Sequence, residues 1–145
     1  MASYLPQANG LLPYWLLIIS VTSVGNTVQA FLSLKGTSQV YAGAASIDAP
    51  SSTPTKAINI TPLQSRTFGT WTLLSSVVRL VAAYNVNDPA MYALASATFV
   101  IASGHFLSEW LVFGTTKMGR GLAGPVVVAH VSLLWMFMQR GFYLQ

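Results

Sequence analysis

Four stretches of this chain stay apolar for about the thickness of a membrane core, and the polar positions around them mark where each predicted helix begins and ends. The first runs from about Pro13, a first-turn proline, to about Leu34, with Gly36 as its stop. One face of it carries Ser20, Ser23 and Thr27, with Thr22, Asn26, Gln29 and Ser33 beside it. Such a face serves either as a surface for interhelical hydrogen bonds or as the lining of a ligand site. Residues 36–60 are rich in Gly, Ser, Ala, Thr and Pro and read as a flexible connector with little regular structure.

The second helix is predicted over residues 62–84. Thr61 caps it, Pro62 fits its first turn, and Gln64 completes a Thr-x-x-Gln capping box. Gly69, Thr72, Ser76, Arg79 and Ala83 recur on one face at helical spacing, where small residues let a neighbouring helix approach. Asn85 to Asp88 is a tight turn, with Asp88 as cap and Pro89 in the first turn of a third helix, so the two helices form an antiparallel hairpin. The third helix runs to about Phe113 before Gly114, with a stripe of Thr98, Ala102, His105 and Glu109. A short basic loop holding Lys117 and Arg120 leads to a fourth helix over residues 122–140. Gly124 and Pro125 lie near its start and His130 near its middle. Trp135, Phe137, Phe142 and Tyr143 make its C-terminal end aromatic, as at a membrane interface. The pattern predicts an all-α integral membrane protein, one domain over residues 1–145, folded as a four-transmembrane-helix bundle that runs up-down-up-down.

Composition strengthens this reading. Hydrophobic residues make up 53% of the chain and charged residues 7%, where soluble domains carry about 25% charged residues. The N-terminal helix has no basic flank and is too long for a signal-peptide core, so it reads as a retained span. Seven Lys and Arg against three Asp and Glu form no basic run, so nucleic acid is not implied. The absence of cysteine excludes disulfides, thiol nucleophiles and Cys metal sites.

The basic residues instead set orientation. Lys35, Lys56 and Arg66 flank the first connector, and Lys117 and Arg120 lie in the second. The positive-inside rule puts both in the cytosol and both termini on the lumenal or external side. The Asn59-Ile60-Thr61 glycosylation pattern then lies in the cytosol and stays unmodified.

Arg79, His105, Glu109 and His130 are the ionisable residues within the predicted spans. Arg79 lies about 9 Å of helical rise from the hairpin turn and Glu109 about 30 Å, so they do not pair. Arg79 is expected to snorkel toward the lumenal surface or to meet a polar partner there. Glu109 is level with Arg66, and an ion pair between them is expected. His105 and His130 fall at similar depth. With Glu109 they could bind a metal or move a proton; the alternative is that each hydrogen-bonds between helices. Gly119 to Gly124 fits G-x-G-x-x-G in letters only, because no strand precedes it and no acidic residue follows about 20 residues on. No Gly-x-Ser-x-Gly is present and histidines are too few for a di-iron oxygenase. From these residues the chain is a small four-helix membrane protein without an evident active site.

Particular residues carry a resemblance. Thr61-Pro62-Leu63, Arg66-Thr67-Phe68-Gly69-Thr70-Trp71-Thr72, Val78-Arg79 and Ala83-Tyr84 closely resemble the ergosterol biosynthetic protein twenty-eight family. So do Leu12-Pro13-Tyr14-Trp15-Leu16, Pro89 with Tyr92, His105-Phe106 with Ser108-Glu109, and Ser132-Leu133 with Trp135-Met136. The connector from Thr37 to Ile60 carries none of it.

The resemblance implies a non-catalytic scaffold of the endoplasmic-reticulum membrane, without a cofactor. It would tether the sterol C-4 methyl oxidase, the 3β-hydroxysteroid dehydrogenase/decarboxylase and the 3-keto sterol reductase. Other sterol enzymes are further implied partners, and the helix faces themselves could also recruit a second copy of the chain. Two alternatives remain. One is a sterol-binding or transfer protein in which Tyr84 or Arg79 contacts the sterol hydroxyl. The other is a membrane sterol isomerase using His105, Glu109 and His130. The residues expected to carry packing or docking are Arg66, Gly69, Trp71, Thr72, Ser76, Arg79, Tyr84, His105, Glu109 and His130.

Overall fold

A computed structural model describes residues 4–43 and 60–145. Its helices are α1 (Leu12–Leu32), α2 (Leu34–Val40), α3 (Pro62–Tyr84), α4 (Pro89–Leu111) and α5 (Arg120–Tyr143). The all-α expectation holds. Among the described residues three helices, α1, α4 and α5, are long and apolar enough to cross a membrane. The 23-residue α3 is as long as α4, but two arginines, a glutamine and many hydroxyl residues dilute its apolar character.

The helix starts follow their local chemistry. Thr61 Oγ1 accepts from Gln64 N at 3.2 Å while Gln64 Oε1 accepts from Thr61 N at 2.8 Å, which satisfies two donors at the start of α3. Asp88 Oδ1 accepts from Met91 N at 2.8 Å to start α4. At the start of α1 no side chain of the cap residue serves. Instead, the distant Tyr143 hydroxyl accepts from Leu12 N at 3.3 Å.

Helices α1 and α3 pair antiparallel along a seam of small and hydroxyl residues. Ser20 Oγ donates to the Ser76 carbonyl at 2.8 Å, and Ser76 Oγ donates to the Ser20 carbonyl at 2.9 Å. Further along, Thr27 Oγ1 donates to the Gly69 carbonyl at 3.2 Å and Ser65 Oγ to the Ala30 carbonyl at 2.7 Å. Ser20 and Thr27 of the polar face are therefore packing residues, while Thr22, Ser23 and Asn26 line a space between the helices. Helix α4 runs antiparallel to α3, with Arg79 against Thr98 and Trp71 against His105. Helix α5 runs antiparallel to α4, with Tyr92 donating to the Met136 carbonyl at 2.5 Å.

The buried apolar residues form two clusters. One joins Leu12, Leu16, Ile19, Ala83, Tyr92, Phe99, Met136 and others; the second joins Ala102, Phe106, Leu122 and Ala129. Outward-facing Val21, Val100, Leu134 and Phe137 are each more than half exposed, as suits side chains that meet lipid.

The connector begins differently from expectation. The first helix ends at Leu32, because Ser33 is extended (φ −152°, ψ 139°) and caps a second helix by accepting from Lys35 N at 3.2 Å. Gly36 is therefore inside α2 and not a stop. A side chain there would press on Gln29, 2.8 Å from the position of a Cβ. Helix α2 docks through Thr37, whose hydroxyl hydrogen-bonds Ser65 at 2.8 Å, and Gly43 N donates to the Thr115 carbonyl at 2.9 Å. The rest of the connector, with Asp48, Lys56 and Asn59, lies outside the described residues.

Candidate functional site between the helices

The two apolar clusters leave a cavity of about 340 Å³ between them, bounded by α1, α3, α4 and α5. Its walls are Ile18, Ile19, Phe68, Trp71, Phe99 and Phe106 with small residues from α4 and α5. Thr22, Ser23, Asn26, Thr72 and Ser75 contribute polar atoms. Arg79 lines it too. A larger groove of about 710 Å³ lies beside it, walled by Tyr41, Leu63, Ile101, His105, Glu109 and Thr115. Phe68 and Trp71 border both spaces.

Arg79 does not snorkel to a surface. It is only 7% exposed. Its Nε donates to Thr98 Oγ1 at 2.9 Å, an Nη donates to the Thr98 carbonyl at 3.4 Å, and the guanidinium carbon sits 4.1 Å from the centre of the Phe99 ring. Thr98 passes its own hydroxyl hydrogen to the Ala95 carbonyl at 2.7 Å, which frees its oxygen to accept from Arg79. A polar partner thus exists, but within the bundle rather than at its edge.

Arg66 and Glu109 do not pair. Arg66 is exposed, and the Glu109 carboxylate accepts a hydrogen bond from Thr115 Oγ1. The Glu109 carbonyl accepts from Thr115 N at 2.9 Å. Because α4 ends only two residues later, its last turn supplies these acceptors to the following loop, and Glu109 is consumed in holding that loop.

His105 and His130 do not meet. His130 is exposed and its Nδ1 bonds the Val126 carbonyl of its own helix at 2.8 Å. His105 Nε2 lies 2.7 Å from the Tyr41 hydroxyl and its ring packs on Trp71, with centroids 5.6 Å apart. The three residues of the isomerase alternative are therefore not assembled into one site. Burial, and then the nearby Glu109 carboxylate, hold the Tyr41 phenol well above its usual range, so it stays neutral. Replacing Tyr41 by phenylalanine should lower stability by about 1 kcal/mol through loss of this bond. A thermal unfolding midpoint in detergent equal to that of the parent protein would show that the bond contributes nothing.

The remaining expected residues have plain positions. Gly69 and Ser76 lie in the α1–α3 seam, and Trp71 and Thr72 line the cavity. Tyr84 is half-exposed and donates to the Tyr4 carbonyl at 2.8 Å, away from the cavity. Tyr41 was missed because it falls in a stretch whose composition suggests a flexible linker. Thr98 was visible only as a member of a stripe.

The family model described as "Erg28 like protein" matches residues 12–134. Ergosterol biosynthetic protein 28 of Candida albicans is 48% identical over 143 residues, covering 98% of this chain and 95% of that protein. The Saccharomyces cerevisiae protein of the same name is 42% identical over 135 residues, covering 92% of this chain and 83% of its own length. The mouse ergosterol biosynthetic protein 28 homolog is 37% identical over 123 residues, covering 84% and 79%. No solved structure matches the chain. With its helices matched almost from end to end, the chain belongs to the Erg28-like family.

Proposed function

We propose that this protein is a non-catalytic scaffold of sterol biosynthesis in the endoplasmic-reticulum membrane. It crosses the membrane four times, with both basic connectors cytosolic and both termini lumenal. Its partners are the sterol C-4 methyl oxidase, the 3β-hydroxysteroid dehydrogenase/decarboxylase and the 3-keto sterol reductase. The names of the relatives support the pathway.

The observation that carries the scaffold reading is the use of polar side chains. The Ser and Thr residues of the seam, Glu109 and His105 are all engaged in holding helices or loops together, while large apolar side chains face outward on several helices. The outward faces are thus the surfaces left for partner helices. Holding successive enzymes side by side raises the effective concentration at which each meets the other's product.

A fourth span at α3 is supported by how its hydroxyls are satisfied. Thr67, Thr70, Thr72 and Ser75 each donate to the carbonyl four residues earlier, at 2.7–3.0 Å. That arrangement removes the cost of leaving a donor unpaired in lipid.

Affinity purification of the full chain from its native membrane in mild detergent tests the scaffold. The three named enzymes are expected among the recovered proteins, and recovery of no sterol enzyme overturns the reading. The cavity favours a second reading, a membrane protein that holds a lipid between its helices. Its apolar walls and its few polar groups are what a small-molecule site presents.

A further inference from the structure

The geometry points to an anion site inside the cavity: Arg79 receives the oxyanion of an amphiphile whose apolar body lies along α3 toward Phe68. This rests on reading the cavity as a lipid site and is independent of the scaffold. A guanidinium offers five N–H donors and always carries its charge. Thr98 accepts two of Arg79's hydrogen bonds, and Phe99 covers one face of the group. Among the described residues no carboxylate pairs with it, although the side chain is only 7% exposed. A buried cation without a counter-ion is costly, and a ligand that brings the counter-charge removes that cost.

The surroundings define the rest of the ligand. From Phe68 to Arg79 the cavity follows α3 for about 16 Å of helical rise. The wall between those ends is mainly apolar and aromatic, with Trp71, Phe106 and Ile19 among its residues. A volume of about 340 Å³ suits one rigid ring system or one folded acyl chain. Arginine is suited to the headgroup because its planar fork matches a carboxylate and is held in place by Thr98. A neutral hydroxyl would leave the charge uncompensated. A polycyclic carboxylate and a fatty acid share the required chemistry, and both are tested.

The experiment uses the full chain in phosphatidylcholine nanodiscs at neutral pH, with tritiated 5β-cholanic acid as the probe and scintillation proximity as the readout. Saturable binding is expected. Unlabelled 5β-cholanic acid should compete at least about tenfold better than its methyl ester, about 1.4 kcal/mol of discrimination. Arg79→Gln should abolish that preference and Arg79→Lys should keep most of it. Competition by oleic acid, with methyl oleate as its neutral control, distinguishes the two sources. Parity with cholanic acid supports an acyl-chain occupant and failure to compete supports a rigid ring body. Equal competition by cholanic acid and its ester overturns the assignment, as does a preference that survives in Arg79→Gln. The parent protein's acid-to-ester ratio decides the matter even where a variant fails to fold. Absence of saturable binding overturns both the assignment and the lipid-site reading, while leaving the scaffold reading untouched.

Discussion

Replacing Gly69 by leucine is expected to drive α1 and α3 apart and to lower stability by about 3 kcal/mol or more. A Cβ on Gly69 would lie 3.0 Å from the Phe31 ring and 3.2 Å from the Ala30 Cβ, and leucine extends further still. The contact sits between two hydrogen bonds of the seam, Thr27 to the Gly69 carbonyl and Ser65 to the Ala30 carbonyl. Separation would stretch both, leaving Thr27 only the Ser23 carbonyl of its own helix at 3.0 Å and Ser65 only the Thr37 hydroxyl at 2.8 Å. With α3 in the membrane as proposed, lipid gives these helices no general hydrophobic reason to associate, so close approach and polar pairing carry the association. The measurement is monodispersity and thermal unfolding in mild detergent. Adding Phe31→Ala should restore part of the loss, because Phe31 is half-exposed and its ring is the first obstacle. A Gly69→Leu protein that unfolds at the parental temperature would show that the seam is not packed this closely.

That seam was largely legible in the sequence, and the reason is physical. Small and hydroxyl residues at helical spacing within apolar segments have few uses other than close helix contact. Ser20 and Thr27 on one segment and Gly69 and Ser76 on another therefore announced the two halves of one interface. The capping box at Thr61 and the cap at Asp88 were legible too, because they depend on residues three positions apart.

Depth counting separated Arg79 from Glu109 but did not reveal where either side chain ends. A long arginine side chain can reach either way along its helix, and the Thr98–Phe99 receptor is formed by another helix. The expected Arg66–Glu109 pair failed for a related reason. Depth alone does not fix the angle around a helix axis, and the backbone turn after α4 brought Thr115 to the carboxylate first. The cavity's only sequence signal was the polar face of the first helix, where Thr22, Ser23 and Asn26 line it; its apolar walls have the same composition as a filled core.

Gly121→Val is expected to undock α2 from α5, again at a cost of about 3 kcal/mol. A Cβ on Gly121 would collide with the Gln39 carbonyl and come within 2.9 Å of Val40 N. Both are backbone atoms, so no side-chain rotation relieves the clash, in contrast to the Phe31 ring at Gly69. The second glycine of the failed nucleotide motif thus has a structural use: it lets the end of α2 rest directly on the first turn of α5. Gly43 repeats the device one turn on, where a side chain would strike the backbone of Gly114 and Thr115. Its N–H meanwhile bonds the Thr115 carbonyl at 2.9 Å. Losing the first of these contacts should loosen the whole segment from Leu34 to Gly43, including the Tyr41–His105 bond that closes one wall of the groove. Hydrogen exchange in detergent separates this from global unfolding. Amides of residues 34–43 should exchange at least about tenfold faster in Gly121→Val. Those in the α1–α3 seam should keep their protection, because Ser20, Ser76 and Gly69 lie on faces that α5 does not hold. Unchanged exchange across 34–43 would mean that α2 is held without this contact. Loss of protection throughout the chain would mean that α2 docking is a condition for the bundle rather than an addition to it.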